Sequence, residues 1–286
     1  MKILVLGGSG MLGHTAYRGF AAAPGIEAFA TLRGDGARRH FPEALQAGLV
    51  SGVDVLDTDA LATVMARIRP DVVVNCVGLV KQLASAKDPL AALPINAIFP
   101  HRLSRLCALL GARMVHVSTD CVFRGDRGMY KDDDFADADD LYGRSKLLGE
   151  VDAPHAITLR TSIIGRELSG NHALVDWFLS QKGKVRGFTR AIFSGLTTDE
   201  LTRVILRHVL PRPDLHGVWQ VSVAPISKHD LLVLLRDAYG RDTEIEADPS
   251  FVLDRSLDST RFRNATGYVP PEWPAMIAAM RAQGEP

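Results

Sequence analysis

Apolar residues cluster in short runs through the first half of the chain, at 3–6, 28–31, 71–75, 114–118 and 156–160. Runs without alternation fit strands buried on both faces. Between them, 12–22, 59–69, 95–110 and 142–151 carry apolar residues at helical spacing. Strand and helix taking turns predict a parallel sheet covered by helices on both sides. Pro70 stops the helix at 59–69, and the next strand starts one residue later. Beyond about residue 165 the pattern loosens. Helices are expected over 169–184, around Trp177 and Phe178, and over 198–209, with Thr198 as N-cap. A third is expected over 227–239 with Ser227 as N-cap, then a short one around 276–281 after Pro270-Pro271; a late strand is expected over 217–223.

The first strand runs straight into Gly7-Gly8-Ser9-Gly10-Met11-Leu12-Gly13. A short buried strand that ends in G-x-x-G-x-x-G and opens a helix is a dinucleotide-binding turn. Gly7 allows the tight turn, Gly10 lets backbone approach a pyrophosphate, and Gly13 lets the helix pack close to the strand. Met11 and Leu12 begin a helix whose free N–H groups and dipole favour phosphates. The expected fold class is therefore α/β: a Rossmann doubly wound parallel sheet with helices on both faces and a smaller C-terminal substrate lobe. Residues 1–165 read as the nucleotide-binding domain and 166–286 mainly as the substrate lobe, with segments around 198–223 rejoining the first.

Arg33 stands twenty residues after Gly13. An NAD-binding turn puts an acidic residue near there, on the ribose 2′-hydroxyl. A guanidinium suits a 2′-phosphate, so NADPH is the expected cofactor, with NADH kept open by the neighbouring Asp35. The competing reading of Arg33, Arg38 and Arg39 is a solvated loop.

Composition narrows the partners. The 286 residues are 47% hydrophobic and 23% charged, and 33 Lys and Arg balance 33 Asp and Glu. Neither nucleic acid nor an anionic membrane is implied. No apolar run reaches transmembrane length, and a four-residue run ending in the glycine turn does not read as a signal peptide. Three cysteines, Cys76, Cys107 and Cys121, lack C-x-x-C spacing, so neither a disulfide framework nor a metal site is expected. A reducing, cytoplasmic compartment fits.

Tyr142 and Lys146 are four apart, on one face of a helix. An ammonium group beside a phenol favours the phenolate and is expected to lower the phenol's pKa. Such a tyrosine can give a proton to a carbonyl oxygen as hydride reaches the carbon. Taken alone, the pair also fits an amphipathic helix with an ordinary lysine; downstream of a dinucleotide turn it points to catalysis. Ser118-Thr119-Asp120 closes the 114–118 strand, on the sheet edge where ligands bind. A hydroxyl there can orient a carbonyl against the tyrosine; for Asp120 an N-cap or plain turn competes.

These strings resemble the extended short-chain dehydrogenase/reductases, in their dTDP-4-dehydrorhamnose reductase branch. The matching pieces are Gly7–Gly13, Arg69-Pro70-Asp71-Val72-Val73-Val74-Asn75, Ser118-Thr119-Asp120-Cys121-Val122-Phe123, Tyr142–Glu150, Leu159-Arg160-Thr161-Ser162 and Arg255-Ser256-Leu257-Asp258-Ser259-Thr260-Arg261-Phe262. The resemblance implies a triad of Thr119, Tyr142 and Lys146, with Lys146 also on the nicotinamide ribose. It places Asp54 and Val55 at the adenine, lines the cofactor with Cys76, Val77 and Gly78, and makes Asn96 a supporting residue. It implies an NADPH-dependent reductase of a nucleotide-linked 4-keto-6-deoxy sugar, serving cell-surface polysaccharide precursor synthesis. Related enzymes often pair through helices like 95–110 and 142–151, which leaves a homodimer open.

The family usually has Tyr at the position of Cys121 and an aromatic at that of Ile163, and both face the sugar. Their loss makes an acetamido-deoxy-hexulose on UDP fit at least as well as the rhamnose precursor. Lys81 and Gln82 could read a substrate group. In the lobe, Lys184, Arg186 and Arg190, near Trp177, could pair with a diphosphate or form a solvated basic loop. Two other functions compete: a sugar-nucleotide epimerase or dehydratase, and a non-catalytic NADP-binding regulatory subunit. Asp120-Cys121 stands where dehydratases carry an Asp-Glu pair, which counts against dehydration.

Overall fold

The computed structural model describes residues 1–80 and 84–284. Seven strands form a parallel sheet: β1 (Lys2–Leu6), β2 (Glu27–Thr31), β3 (Leu49–Val50), β4 (Val72–Asn75), β5 (Arg113–Thr119), β6 (Ala156–Thr161) and, from the second half of the chain, β10 (Gly217–Gln220). Their order is β10-β6-β5-β4-β1-β2-β3. The chain winds outward from β1 in one direction and from β4 in the other. The reversal between them opens a crevice at the carboxyl ends of the strands.

Successive side chains of β1 go to opposite faces, which is why the strand reads as continuously apolar. Ile3 and Val5 join a core with Leu12, Tyr17 and Phe20 of helix α1 (Met11–Ala21) and Leu201 and Val204 of α8 (Thr198–Val204). Leu4 and Leu6 join the opposite core, with Leu61 and Met65 of α3 (Thr58–Ile68) and Phe99 and Leu103 of α5 (Phe99–Leu110). Asp57 caps α3 by accepting from the Asp59 and Ala60 amides, and Arg69 closes it in the left-handed region at φ 52°.

The remaining strands are β7 (Ile163–Ile164) paired with β9 (Leu196–Thr197), and a three-stranded sheet β11-β8-β12 made of β8 (Lys184–Phe193), β11 (Ile226–Ser227) and β12 (Glu244–Asp254). Short helices α2 (Glu43–Gln46) and α4 (Pro89–Ala92) lie in the first half. α6 (Leu141–Leu148), α7 (Leu174–Ser180), α9 (Lys228–Tyr239), α10 (Thr260–Thr266) and α11 (Trp273–Ala282) follow.

Several sequence expectations need correction. The helix expected over 169–184 is only the seven residues of α7, and Lys184 begins β8. Thr197, not Thr198, caps α8 by accepting from the Glu200 amide. Ser227 caps α9 as expected, accepting from the Asp230 amide. No helix among the described residues is long and apolar enough to cross a membrane, and no group of three or more His, Cys, Asp and Glu is arranged to hold a metal.

Candidate active site

The glycine turn sits at the crevice between β1 and β4. Gly7 adopts φ +83°, and a Cβ there would lie 2.9 Å from Val77 Cγ2. Gly13 has no room at all: its Cβ would lie 2.0 Å from Gly7 O. Gly10 differs, since its Cβ would meet only Gly7 O at 3.4 Å. The fold therefore needs Gly7 and Gly13, whereas at Gly10 it leaves open space of the kind a phosphate would use. Gly10 is also the N-cap of α1, with no side-chain cap and no acid in the first turn. The first N–H groups of an eleven-residue helix, at Met11 and Leu12, are thus free to meet an anion.

Three further segments reach this crevice. Arg33 follows β2, exposed, with no hydrogen bond or ion pair among the described residues. Arg38, by contrast, is committed to the carbonyls of Leu49 and Gln46. Asp54 follows β3; its exposed carboxylate accepts from the Leu56 amide at 2.9 Å, with Val55 half-buried beside it. Cys76, Val77 and Gly78 leave β4 under tight control. Asn75 Oδ1 accepts from the Val77 amide at 3.0 Å. Asn96 holds Leu79 from both sides, accepting from its N–H (2.9 Å) and donating to its carbonyl (3.1 Å). Asn96 lies in a π turn, Leu93–Ile98, between α4 and α5, a device often found at functional sites. Lys81 and Gln82 lie outside the described residues.

β5 delivers Thr119 to the carboxyl edge of the sheet, and α6 brings Tyr142 and Lys146 against it. Asp140 caps α6 by accepting from the Gly143 amide at 2.7 Å. Two glycines let α6 dock: a Cβ at Gly143 would lie 2.2 Å from Cys121 O, and one at Gly149 1.9 Å from Asn96 O. Tyr142, half-buried, has its phenol beside the Thr119 side chain. Thr119 Oγ1 also accepts from the Cys121 amide (3.1 Å) and donates to Asp120 Oδ1 (3.0 Å). Lys146 is buried, and its Nζ donates to Val117 O at 2.8 Å. Asn96 completes the support by donating to Ser145 Oγ. Behind these, Glu150 takes a bidentate pair from Arg160, both contacts at 2.7 Å, and a hydrogen bond from Ser118. That buried pair ties the end of α6 to β5 and β6.

The electrostatics reverse one expectation. Burial pushes the Tyr142 phenol up rather than down, with Cys121 and Asp120 adding to the effect and only the Thr119 hydrogen bond opposing it. The Lys146 ammonium is engaged with Val117 O, and desolvation outweighs its pull on the phenol. A phenol held protonated at neutral pH is suited to donate a proton. Burial lowers Lys146 to about 8, against the pull of Glu150 and Cys76. Cys76 and Cys121 are pushed up to about 12 by burial, so neither is a ready thiolate.

On the lobe side the outcome is mixed. Cys121 lies beside Tyr142. Ile163 pairs with Leu196 and packs, half-buried, against the main core. Lys184 pairs with Glu244 and Glu246, and Arg186 with Asp248, across β8 and β12. Arg190 is exposed on β8 opposite Val252. Nothing ties these basic residues to Thr119 or Tyr142 among the described residues. Two cations that sequence reading gave no role do reach the site. Arg255 donates to Phe123 O (2.8 Å) and lies 3.4 Å from Cys121 Sγ; Lys228 faces Asp120 and Cys121. No local spacing could reveal a contact across 134 residues.

The family described as RmlD substrate binding domain matches residues 1–182. A dTDP-4-dehydrorhamnose reductase of Mycobacterium tuberculosis is 34% identical over 134 residues, covering 40% of this chain. That alignment spans 44% of the reductase, less than half its length. A methionine adenosyltransferase 2 subunit beta of Danio rerio is 24% identical over 303 residues, covering 92% of this chain and 88% of its own. Among solved structures, a Bacillus anthracis dTDP-4-dehydrorhamnose reductase in complex with NADP superposes with a TM-score of 0.79 at 20% identity, over 99% of both chains. At that identity the likeness shows the fold: a Rossmann-type α/β sheet.

Proposed function

The chain belongs to the RmlD substrate-binding-domain family, and from that premise we propose an NADPH-dependent reductase of a nucleotide-linked 4-keto-6-deoxy sugar, working in cell-surface polysaccharide precursor synthesis. One observation carries the proposal: Thr119, Tyr142 and Lys146 converge at the carboxyl edge of the sheet, beside a glycine turn with open space at Gly10. The residues present fit the cofactor. Gly7, Gly10, Met11, Leu12 and Gly13 would hold its pyrophosphate, Arg33 its 2′-phosphate, Asp54 and Val55 its adenine, and Cys76, Val77, Gly78, Tyr142 and Lys146 its inner face. When bound, NADPH supplies the hydride.

The chain's own groups do the rest. Thr119, turning its one hydroxyl proton from Asp120 to the sugar carbonyl, fixes that carbonyl against Tyr142. As the carbonyl oxygen gains negative charge, Tyr142 Oη gives it a proton, and the hydroxyl product forms. Lys146 keeps a positive charge one helical turn from Tyr142, and Asn96 and Ser145 hold the helix that carries both. The test is to supply NADPH with nucleotide-linked 4-keto sugars and follow NADPH oxidation together with the reduced product. A regulatory subunit that binds NADP without turnover would give neither. An epimerase would interconvert sugars without consuming NADPH.

Cofactor choice makes a separate prediction. Arg33→Ala should weaken NADPH by roughly ten- to hundredfold, the worth of a hydrogen-bonded charge contact, and leave NADH where it was. Fluorescence titration of both cofactors checks this, and equal wild-type affinities would refute the assignment. Apolar side chains exposed at Ile98, Leu109 and Leu148, on α5, α6 and the π turn, support pairing of two copies.

A further inference from the structure

The wall that faces Tyr142 from the C-terminal half carries fixed positive charge. Arg255 is held on three sides. Its Nε donates to Phe123 O, its Nη1 lies 3.4 Å from Cys121 Sγ, and its stem fills the space beside Gly125, where a Cβ would lie 2.7 Å from Arg255 Cγ. Its Nη2 makes no hydrogen bond among the described residues. Lys228, the first residue of α9, carries Nζ 4.0 Å from the centre of the Phe193 ring and faces Asp120 and Cys121. Two cations thus share one carboxylate, Asp120.

Cys121 stands between these cations and the reacting groups, since its amide donates to Thr119 Oγ1 and its thiol neighbours Tyr142. An aromatic wall at that point would cover an apolar ring face. A guanidinium fixed there has donors and no acceptor, and needs an oxygen to meet. A sugar whose C4 carbonyl sits at Thr119 and Tyr142 carries its diphosphate on C1, across the ring. Groups beside Cys121 therefore meet ring substituents first.

We propose that Arg255, with Lys228 beside it, is a specificity-determining residue that reads a carbonyl-type oxygen on the sugar itself, either an acylamino group or a carboxylate. The proposal rests on the nucleotide-sugar reading above and names the substituent that the reading leaves open.

The test is equilibrium binding to the NADP-loaded protein of four probes: the nucleoside diphosphate alone, its glucose, its N-acetylglucosamine and its glucuronate conjugates, in the uridine and thymidine series. Wild type should bind the N-acetylglucosamine or the glucuronate conjugate roughly ten- to hundredfold tighter than the glucose conjugate, and whichever is favoured identifies the source of the oxygen. Arg255→Met should erase that gap while NADP affinity and affinity for the free diphosphate hold. Arg255→Lys, which keeps the charge but loses the fork, should fall between; it carries the test alone if the Met variant does not fold. Equal wild-type affinity for the three sugars overturns the proposal and leaves the reductase reading standing. So does a Met variant that weakens the free diphosphate as much as the conjugates. Failure to bind any nucleotide sugar, with NADP still bound, overturns both.

Discussion

Tyr142→Phe should lower kcat for the keto sugar by roughly 10²–10⁴, the usual worth of general acid catalysis, while NADPH affinity stays within a few-fold. The ring remains to pack beside the cofactor, and only the proton is lost. The large effect follows from placement: the Tyr142 phenol lies beside Thr119, and burial keeps its proton on at neutral pH. Thr119→Val should also cut the rate with little change in cofactor affinity, because it removes the hydroxyl that holds the carbonyl. Lys146→Met should cost both. The pH profile separates these roles. Lys146 loses its charge as pH rises through about 8, so wild-type kcat should fall on the alkaline side of that value. The limb should vanish in Lys146→Met and persist in Thr119→Val. Stopped-flow rates with NADPH saturating would check each outcome, and full kcat in Tyr142→Phe would rule out the mechanism while leaving the fold intact.

The second large effect distinguishes two glycines of one motif. Gly13→Val should destabilise the whole protein, because its Cβ would need the place of Gly7 O, 2.0 Å away. Backbone cannot retreat as a side chain can. The cost should exceed the roughly 1–3 kcal/mol of ordinary overpacking, giving a fall in Tm of about 10 °C or no soluble protein. Gly10→Val should fold near the wild-type Tm, since its Cβ meets nothing closer than 3.4 Å, and should fail to bind NADPH. Thermal melts with and without cofactor read both: the Gly10 variant should lose the ligand-induced rise in Tm. A Gly10→Val protein that binds NADPH normally would show that the open space serves no phosphate.

What the sequence made legible was local. The turn at Gly7–Gly13 and the Tyr142–Lys146 spacing each lie within one element, so residue type and interval carry the geometry. The strands β1, β4, β5 and β6 are readable because both faces are buried and the runs are dense in apolar residues. β8 and β12 are not. Their outward positions carry Lys184, Arg186, Glu244 and Glu246, and they make sense only once paired. β3 is two residues long and leaves almost no pattern. The direction of the Tyr142 shift was misread because spacing reports which groups are near, whereas burial depends on everything else that packs around them. Arg255 was visible as part of a motif, but its contact with Cys121 exists only in the folded chain.

The π turn at Leu93–Ile98 amounts to one residue more than an α-helix would use. The Phe99 amide reaches back five positions to Pro94 O, so Asn96 is displaced from the face that a regular ladder would give it. That displacement lets one side chain grip Leu79 in the segment after β4 and Ser145 on α6. Removing a single residue here, whatever its identity, would turn the preceding stretch by about 100° and release both grips together. The alignment of the two halves of the cleft is thus recorded in the length of a helix as much as in the letters that spell it.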